Sequence, residues 1–197
     1  MAERTRWQRI AKRIRVPMGF AVAAVFLWFA RPTTLTLGIS LALVGPGLWL
    51  RAYAAGYVRK NAELTTSGPY AYTRNPLYLG SLGITCGFGV AAGSWWLVAL
   101  LAGLFAAIYL PTIAGEEEYL QAHFAEFDAY AARVPRLLPR LTAAPAMDGA
   151  GAFSRALYAH HREYNALMGA GAIYVALVLK LVFHMFLSGF RELFLWH

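Results

Sequence analysis

An all-α membrane protein, with about five transmembrane helices and cytosolic amphipathic segments, is the fold class that the sequence predicts. Three observations predict it. The 197 residues are 59% hydrophobic and only 14% charged, with a mean hydropathy of +0.47. A soluble domain carries about 25% charged residues and at most about half apolar ones. The apolar residues gather into five runs near the length a bilayer requires, and the long connections between runs are basic on one side only. This composition excludes a disordered chain, a disulfide scaffold and a water-soluble nucleic-acid binder. The net charge of +8 is therefore read against anionic lipid headgroups, with the bilayer and not nucleic acid as the partner.

The first fifteen residues, MAERTRWQRIAKRIR, hold six basic residues and one acid. They read as a retained cytosolic anchor, since no small-residue cleavage site clearly follows them. The first span covers about residues 16–30 and is ended by Arg31-Pro32. The second covers about 33–55, with Gly45-Pro46-Gly47 as its expected kink. The third covers about 77–92 and the fourth about 95–114. A fifth, about 166–187, follows a long polar interval, 141–165, read as a cytosolic linker with an amphipathic helix. Spans one and three are short for a straight crossing and fit tilted partners in helical hairpins. Cys86 lies inside an apolar run and is expected to be a small buried hydrophobe.

The connections after spans one and three are tiny, Arg31-Pro32 and Gly93-Ser94. Those after spans two and four carry Arg59, Lys60 and Arg74, then Arg133, Arg136, Arg140, Arg155 and Arg162. The positive-inside rule places the N-terminus and both long connections in the cytosol of a multi-pass protein of the cell's inner membrane. Any site belongs on that face.

The first long connection contains Thr66-Ser67-Gly68-Pro69-Tyr70 and Arg74-Asn75-Pro76-Leu77-Tyr78-Leu79-Gly80. Gly-Pro and Asn-Pro are turn signals, and Pro76 suits the first turn of the third span. The plain alternative is an interfacial loop with tyrosines and an arginine at the headgroups. The second contains Glu116-Glu117-Glu118, then Leu120, Phe124, Phe127 and Tyr130 at three-to-four spacing, which predicts an amphipathic helix. Three carboxylates at the end of a span oppose the helix dipole, so a cationic partner is implied; solvated charge is the plain alternative.

Together these segments resemble the membrane-embedded methyltransferase superfamily that includes isoprenylcysteine carboxyl methyltransferases and phospholipid N-methyltransferases. The resemblance spans about residues 59–140, through Thr66-Ser67-Gly68-Pro69-Tyr70, Arg74 to Gly80, Glu116-Glu117, Phe124, Tyr130 and Val134-Pro135-Arg136. It implies an S-adenosylmethionine site at the cytosolic face, formed by Leu64, Thr65, Tyr70, Arg74, Asn75, Pro76, Leu77, Tyr78, Glu116 and Glu117. It implies a lipophilic, membrane-borne methyl acceptor, a lipid-headgroup amine or a lipid-linked carboxylate. A carboxylate such as Glu117 accepts from a ribose diol, Asn75 and Arg74 offer donors, tyrosines offer an apolar slot, and carboxylates and aromatic faces stabilise a sulfonium. An amine acceptor must lose a proton, which Glu116 or Glu118 can take; no catalytic base is identified.

Two departures bear on the substrate. Asn75 stands where the superfamily more often has His, and Ile113 stands where the isoprenylcysteine enzymes carry an acid-binding Arg. The second argues against a prenylcysteine acid. Two other readings are a sterol-reductase-type enzyme using a nicotinamide cofactor, for which the chain is short, and a non-enzymatic membrane adaptor. The adaptor leaves Glu116-Glu117 and the Asn-Pro-x-Tyr turn unexplained. His160-His161 with Glu163 is not read as a metal site. Gly87-Phe88-Gly89 reads as close helix packing. Lys180 and His184, one turn apart in the fifth span, are expected to line a headgroup cavity, with a snorkelling Lys180 as the alternative.

Overall fold

The computed structural model describes residues 19–59, 62–145 and 151–195, and among them every regular element is helical. The basic N-terminal anchor and Lys60 lie outside the described residues. α1 is Gly19–Phe29, α2 Thr34–Ala55, α3 Pro76–Ala92, α4 Trp95–His123, α5 Phe127–Ala131, α6 Arg155–His161 and α7 Tyr164–Leu195. By length and composition α2, α4 and the Tyr164–Ser188 part of α7 can cross a membrane, while α1 and α3 are shorter apolar helices.

The short connections form as local chemistry dictates. Pro32 holds the preceding residue out of helical backbone, and Thr33 then opens α2 with a capping box: its hydroxyl accepts from the Thr36 amide at 3.1 Å, and the Thr33 amide donates to Thr36 Oγ1 at 2.9 Å. α3 ends on Gly93 at φ 59°, a left-handed conformation natural to glycine. A Cβ there would meet the Arg31 carbonyl oxygen at 2.4 Å. The Arg31 amide donates to the Ala92 carbonyl at 2.8 Å, so the two hairpin tips meet at one end of the bundle. Among the described residues, the long polar connections gather at the other.

α2 runs unbroken through Pro46 and packs backbone to backbone against α3. A Cβ on Gly47 would lie 2.7 Å from the Gly80 carbonyl, and one on Gly87 would lie 3.0 Å from the Ser40 carbonyl. Small residues at such a crossing admit the close approach that drives helix association in lipid, which is the role expected of Gly87. Phe26, Leu37, Val44, Phe88, Leu97 and Leu177 form the core between α1, α2, α3, α4 and α7.

One expectation is corrected here. Cys86 is exposed on α3, because a helix in lipid presents apolar residues outward as readily as inward, and Val178, Val182 and Phe183 of α7 do the same. Lys180 reaches the far end of α1, beside the Arg31-Pro32 tip. Its Nζ donates to the carbonyls of Leu27 at 2.7 Å and Trp28 at 2.6 Å, supplying donors to the end of α1 that Pro32 leaves without helical partners. His184 is exposed.

Candidate functional site

At the polar end, the chain leaving α2 turns through a short 3-10 helix, Gly68–Ala71, and enters α3 at Asn75-Pro76. The segment after α5 returns beneath it. The Arg74 amide donates to the Pro135 carbonyl, the Arg140 amide to Tyr72 and the Ala144 amide to Ala71, each at 2.9 Å. The buried Tyr130 hydroxyl donates to the Tyr70 carbonyl at 2.8 Å. Phe127, Tyr130, Val134 and Ala144 bury a small second core against Leu64, Leu120 and Phe124. The two polar connections, distant in sequence, are thus one folded layer.

Glu117 is the knot of that layer. Its Oε1 accepts from Arg74 Nε at 3.0 Å and Asn75 Nδ2 at 3.3 Å, and its Oε2 pairs with Arg136 Nε at 2.9 Å. Arg74 Nη1 also donates to the carbonyls of Ala131 at 2.9 Å and Val134 at 3.1 Å. Asn75 Nδ2 donates as well to the Arg136 carbonyl at 2.9 Å. The cationic partner implied for the carboxylates therefore exists, but not at a helix end. α4 continues to His123, so Glu116, Glu117 and Glu118 sit inside it and the dipole argument does not apply.

The expected amphipathic helix through Leu120, Phe124, Phe127 and Tyr130 is also corrected. It breaks at Phe124, whose backbone is extended (φ −128°, ψ 110°), before the short α5. The break folds Phe127 and Tyr130 back under Leu64; an unbroken helix would carry them away from it.

Above the knot lies a cavity of about 590 Å³. Leu64, Thr65, Tyr70, Arg74, Asn75, Pro76, Leu77, Tyr78, Glu116 and Glu117 all line it. On the α4 side Pro111, Thr112, Gly115, Glu116 and Tyr119 line it while remaining exposed, so the cavity opens along the outer surface of that helix. Thr65 Oγ1 is buried and meets no partner among the described residues. Glu116 makes no ion pair among the described residues, yet stands close enough to Tyr70 to act on it. Burial pushes the Tyr70 phenol far above its ordinary range, assisted by Tyr130 and Glu116. Burial also raises Tyr130, against the lowering effect of Arg74. Both are neutral hydroxyls at physiological pH.

Other lining residues escaped the sequence reading. Arg51 and Glu163 form a second ion pair at 2.8 Å in the cavity wall, and Tyr109 and Thr112 come from mid-α4. An arginine inside an apolar span was the available signal for Arg51. Glu163, weighed beside His160-His161 as a metal ligand, is instead committed to Arg51.

A family profile described as phospholipid methyltransferase matches residues 14–126. The chain is 42% identical over 106 residues to a nickel-cobalt-cadmium resistance protein of Alcaligenes xylosoxydans xylosoxydans, covering 54% of this chain and 48% of that one. It is 40% identical over 138 residues to a cobalt-zinc-cadmium resistance protein of Cupriavidus metallidurans, covering 65% of this chain and 62% of that one. The match thus spans about half to three-fifths of these relatives' length. No solved structure matches.

Proposed function

The chain belongs to the phospholipid methyltransferase family, and on that premise we propose that it methylates a lipophilic, membrane-borne acceptor at the cytosolic face of the inner membrane, with S-adenosylmethionine as donor. The observation that carries this reading is the one cavity lined by all ten residues of the expected cofactor set. The arginines of the long connections support the cytosolic orientation.

The lining fits such a donor chemically. A buried hydroxyl without a partner, Thr65 Oγ1, is a polar group that a ligand satisfies. Glu116, which makes no ion pair among the described residues and lies beside Tyr70 and Tyr78, suits a cationic centre. S-adenosylmethionine, when bound, supplies an electrophilic methyl group on a sulfonium. Tyr70 and Tyr78 would wall an aromatic ring, while Asn75 and Arg74, fixed by Glu117, would meet its polar ends. Glu117 retains acceptor capacity for a ribose hydroxyl beyond its three donors.

Displacement at a methyl group needs alignment and exclusion of water more than acid–base help. The Glu117 knot provides the alignment, because Glu117, Arg74 and Asn75 are each held by two or more partners. The exposed α4 edge of the cavity provides the route by which an acceptor whose tail stays in the bilayer reaches the polar chamber. For an amine acceptor, Glu116 is the carboxylate placed to take the proton.

Resistance to metal ions, which the relatives' names carry, is on this reading a consequence of a modified acceptor. Among the described residues no three His, Cys, Asp or Glu side chains gather to hold a metal ion. The test is calorimetric titration of the purified protein with S-adenosylhomocysteine. Saturable one-to-one binding, lost in Asn75→Ala and weakened in Glu116→Gln, is expected. Absence of binding in both detergent and lipid nanodiscs would overturn the donor assignment, and a nicotinamide cofactor would be titrated next.

A further inference from the structure

Arg51 is the one charged residue of α2, and a charge within a span marks a functional position by default. Its stem lies flat on α3 because residue 80 is glycine: a Cβ there would meet Arg51 Cγ at 2.7 Å. One corner of the guanidinium is fixed, with Nη1 donating to the Leu77 carbonyl at 3.4 Å and to Ser81 Oγ. The opposite edge is the planar two-donor fork that matches a carboxylate or phosphate. That edge is filled from within the chain. Nε donates to Glu163 Oε2 at 3.1 Å, and Nη2 donates to Oε1 at 3.0 Å and Oε2 at 2.8 Å. Both side chains line the cavity.

The carboxylate arrives on a segment outside the stretch that matches the family. Residues 151–163 are strapped across the end of α2: Ser67 Oγ donates to the Gly151 carbonyl at 2.7 Å, the Ser154 amide donates to the Gly56 carbonyl at 2.8 Å, and the Phe153 ring lies against Tyr53 and Tyr57. Glu163 itself follows Arg162, a non-glycine residue in the left-handed region at φ 53°. Such a conformation persists only where its surroundings hold it. Among the described residues the Glu163 carboxylate meets Arg51 alone.

The two halves of the pair are therefore unequal. Arg51 is anchored on a membrane helix and by two groups of α3, and cannot leave without stranding a buried charge. Glu163 sits in the short turn between α6 and α7, after the left-handed Arg162, and its carboxylate has no second partner among the described residues. An incoming oxyanion keeps Arg51 paired throughout the exchange, whereas an incoming cation would have to take Glu163 and leave Arg51 bare. We propose that Arg51 recognises the methyl acceptor through an anionic oxygen group, a carboxylate or phosphate, and that Glu163 holds that place until the acceptor displaces it. Calling the ligand an acceptor rests on the methyltransferase reading; the anion site does not. Ile113, which stands where the isoprenylcysteine enzymes carry an acid-binding arginine, is buried on α4, whereas Arg51 stands on α2.

The test titrates the purified protein with octanoate, octyl phosphate and octylamine, with and without S-adenosylhomocysteine. Glu163→Gln, which removes the internal competitor's charge, is expected to tighten at least one of the two acids by about tenfold and leave octylamine unmoved. Arg51→Lys keeps the charge but loses the fork, and is expected to weaken acid binding by roughly tenfold. Whichever acid gains more names the acceptor's group. Unchanged or weaker acid binding in Glu163→Gln, or tighter binding of octylamine than of either acid by the wild type, would overturn the proposal. If Glu163→Gln melts below the titration temperature, Glu163→Asp must show a smaller gain in the same direction. Failure of the wild type to bind S-adenosylhomocysteine would remove the methyltransferase reading, while the acid titrations without it still decide the anion site.

Discussion

Apart from the exposed Arg59–Glu63 pair, two arginine–glutamate pairs line the same cavity, and they are buried alike: the side chains of Arg74 and Glu117 are 15% and 17% exposed, those of Arg51 and Glu163 20% and 14%. Their surroundings differ. Glu117 accepts from Arg74, Asn75 and Arg136, and Arg74 also holds two carbonyls of the returning segment. Glu163 meets one arginine, from a loop in unfavourable backbone geometry. Burial and distance alone would rank the pairs as equals. The number of independent partners separates a fixed knot from an exchangeable one, because a networked charge cannot leave without orphaning its neighbours.

The strongest way to break this comparison is Glu117→Ala. It leaves the largely buried Arg74 without a counter-charge and should cost about 3–5 kcal/mol of stability, with loss of S-adenosylhomocysteine binding, read by thermal denaturation and calorimetry. An equal loss of stability in Glu163→Ala would erase the distinction. A smaller effect is expected from Gly80→Ala. The added methyl meets both Arg51 Cγ and the Gly47 carbonyl at 2.7 Å, an overpacking that costs about 1–3 kcal/mol. It should lower the melting temperature and loosen the Arg51 fork while Glu117 keeps its partners; an unchanged melting temperature would deny the tight α2–α3 crossing.

The smallest change sharpens the knot from below. Tyr130→Phe removes the donor to the Tyr70 carbonyl and should cost about 1–2 kcal/mol, measured by denaturation. The same two tyrosines set an alkaline limit. Their phenols are held neutral in the fold, with raised values, whereas an unfolded tyrosine ionises near about pH 10. Their contribution is therefore complete below about pH 10 and is lost as pH rises beyond it. Tyrosinate absorbance should show a slow fraction that ionises only on unfolding, and Tyr130→Phe should shrink it.

Much of the site was legible. The resemblance to the membrane methyltransferases, carried by the Asn-Pro turn, the glutamates and the tyrosines, marked ten residues, and all ten line one cavity. The amphipathic stripe was legible as burial but not as shape, since the same Leu120, Phe124, Phe127 and Tyr130 pattern serves an unbroken helix or one broken at Phe124. Cys86 was misplaced because burial rules from water do not transfer to a helix surface facing lipid.

By itself the sequence determined the apolar runs, the hairpin stops at Pro32 and Gly93, and the gathering of polar residues at one end. These follow from each residue's own transfer energy and backbone preference, which act locally. Only the tertiary structure decided which charges pair. Arg51 and Glu163 are 112 residues apart, and Arg74 and Glu117 are 43 apart. An ion pair or a hydrogen bond belongs to two positions at once, and no local preference brings them within 3 Å. The crossing of α2 over α3, made close by Gly47 and Gly80, and the return of the chain under Tyr70 do that.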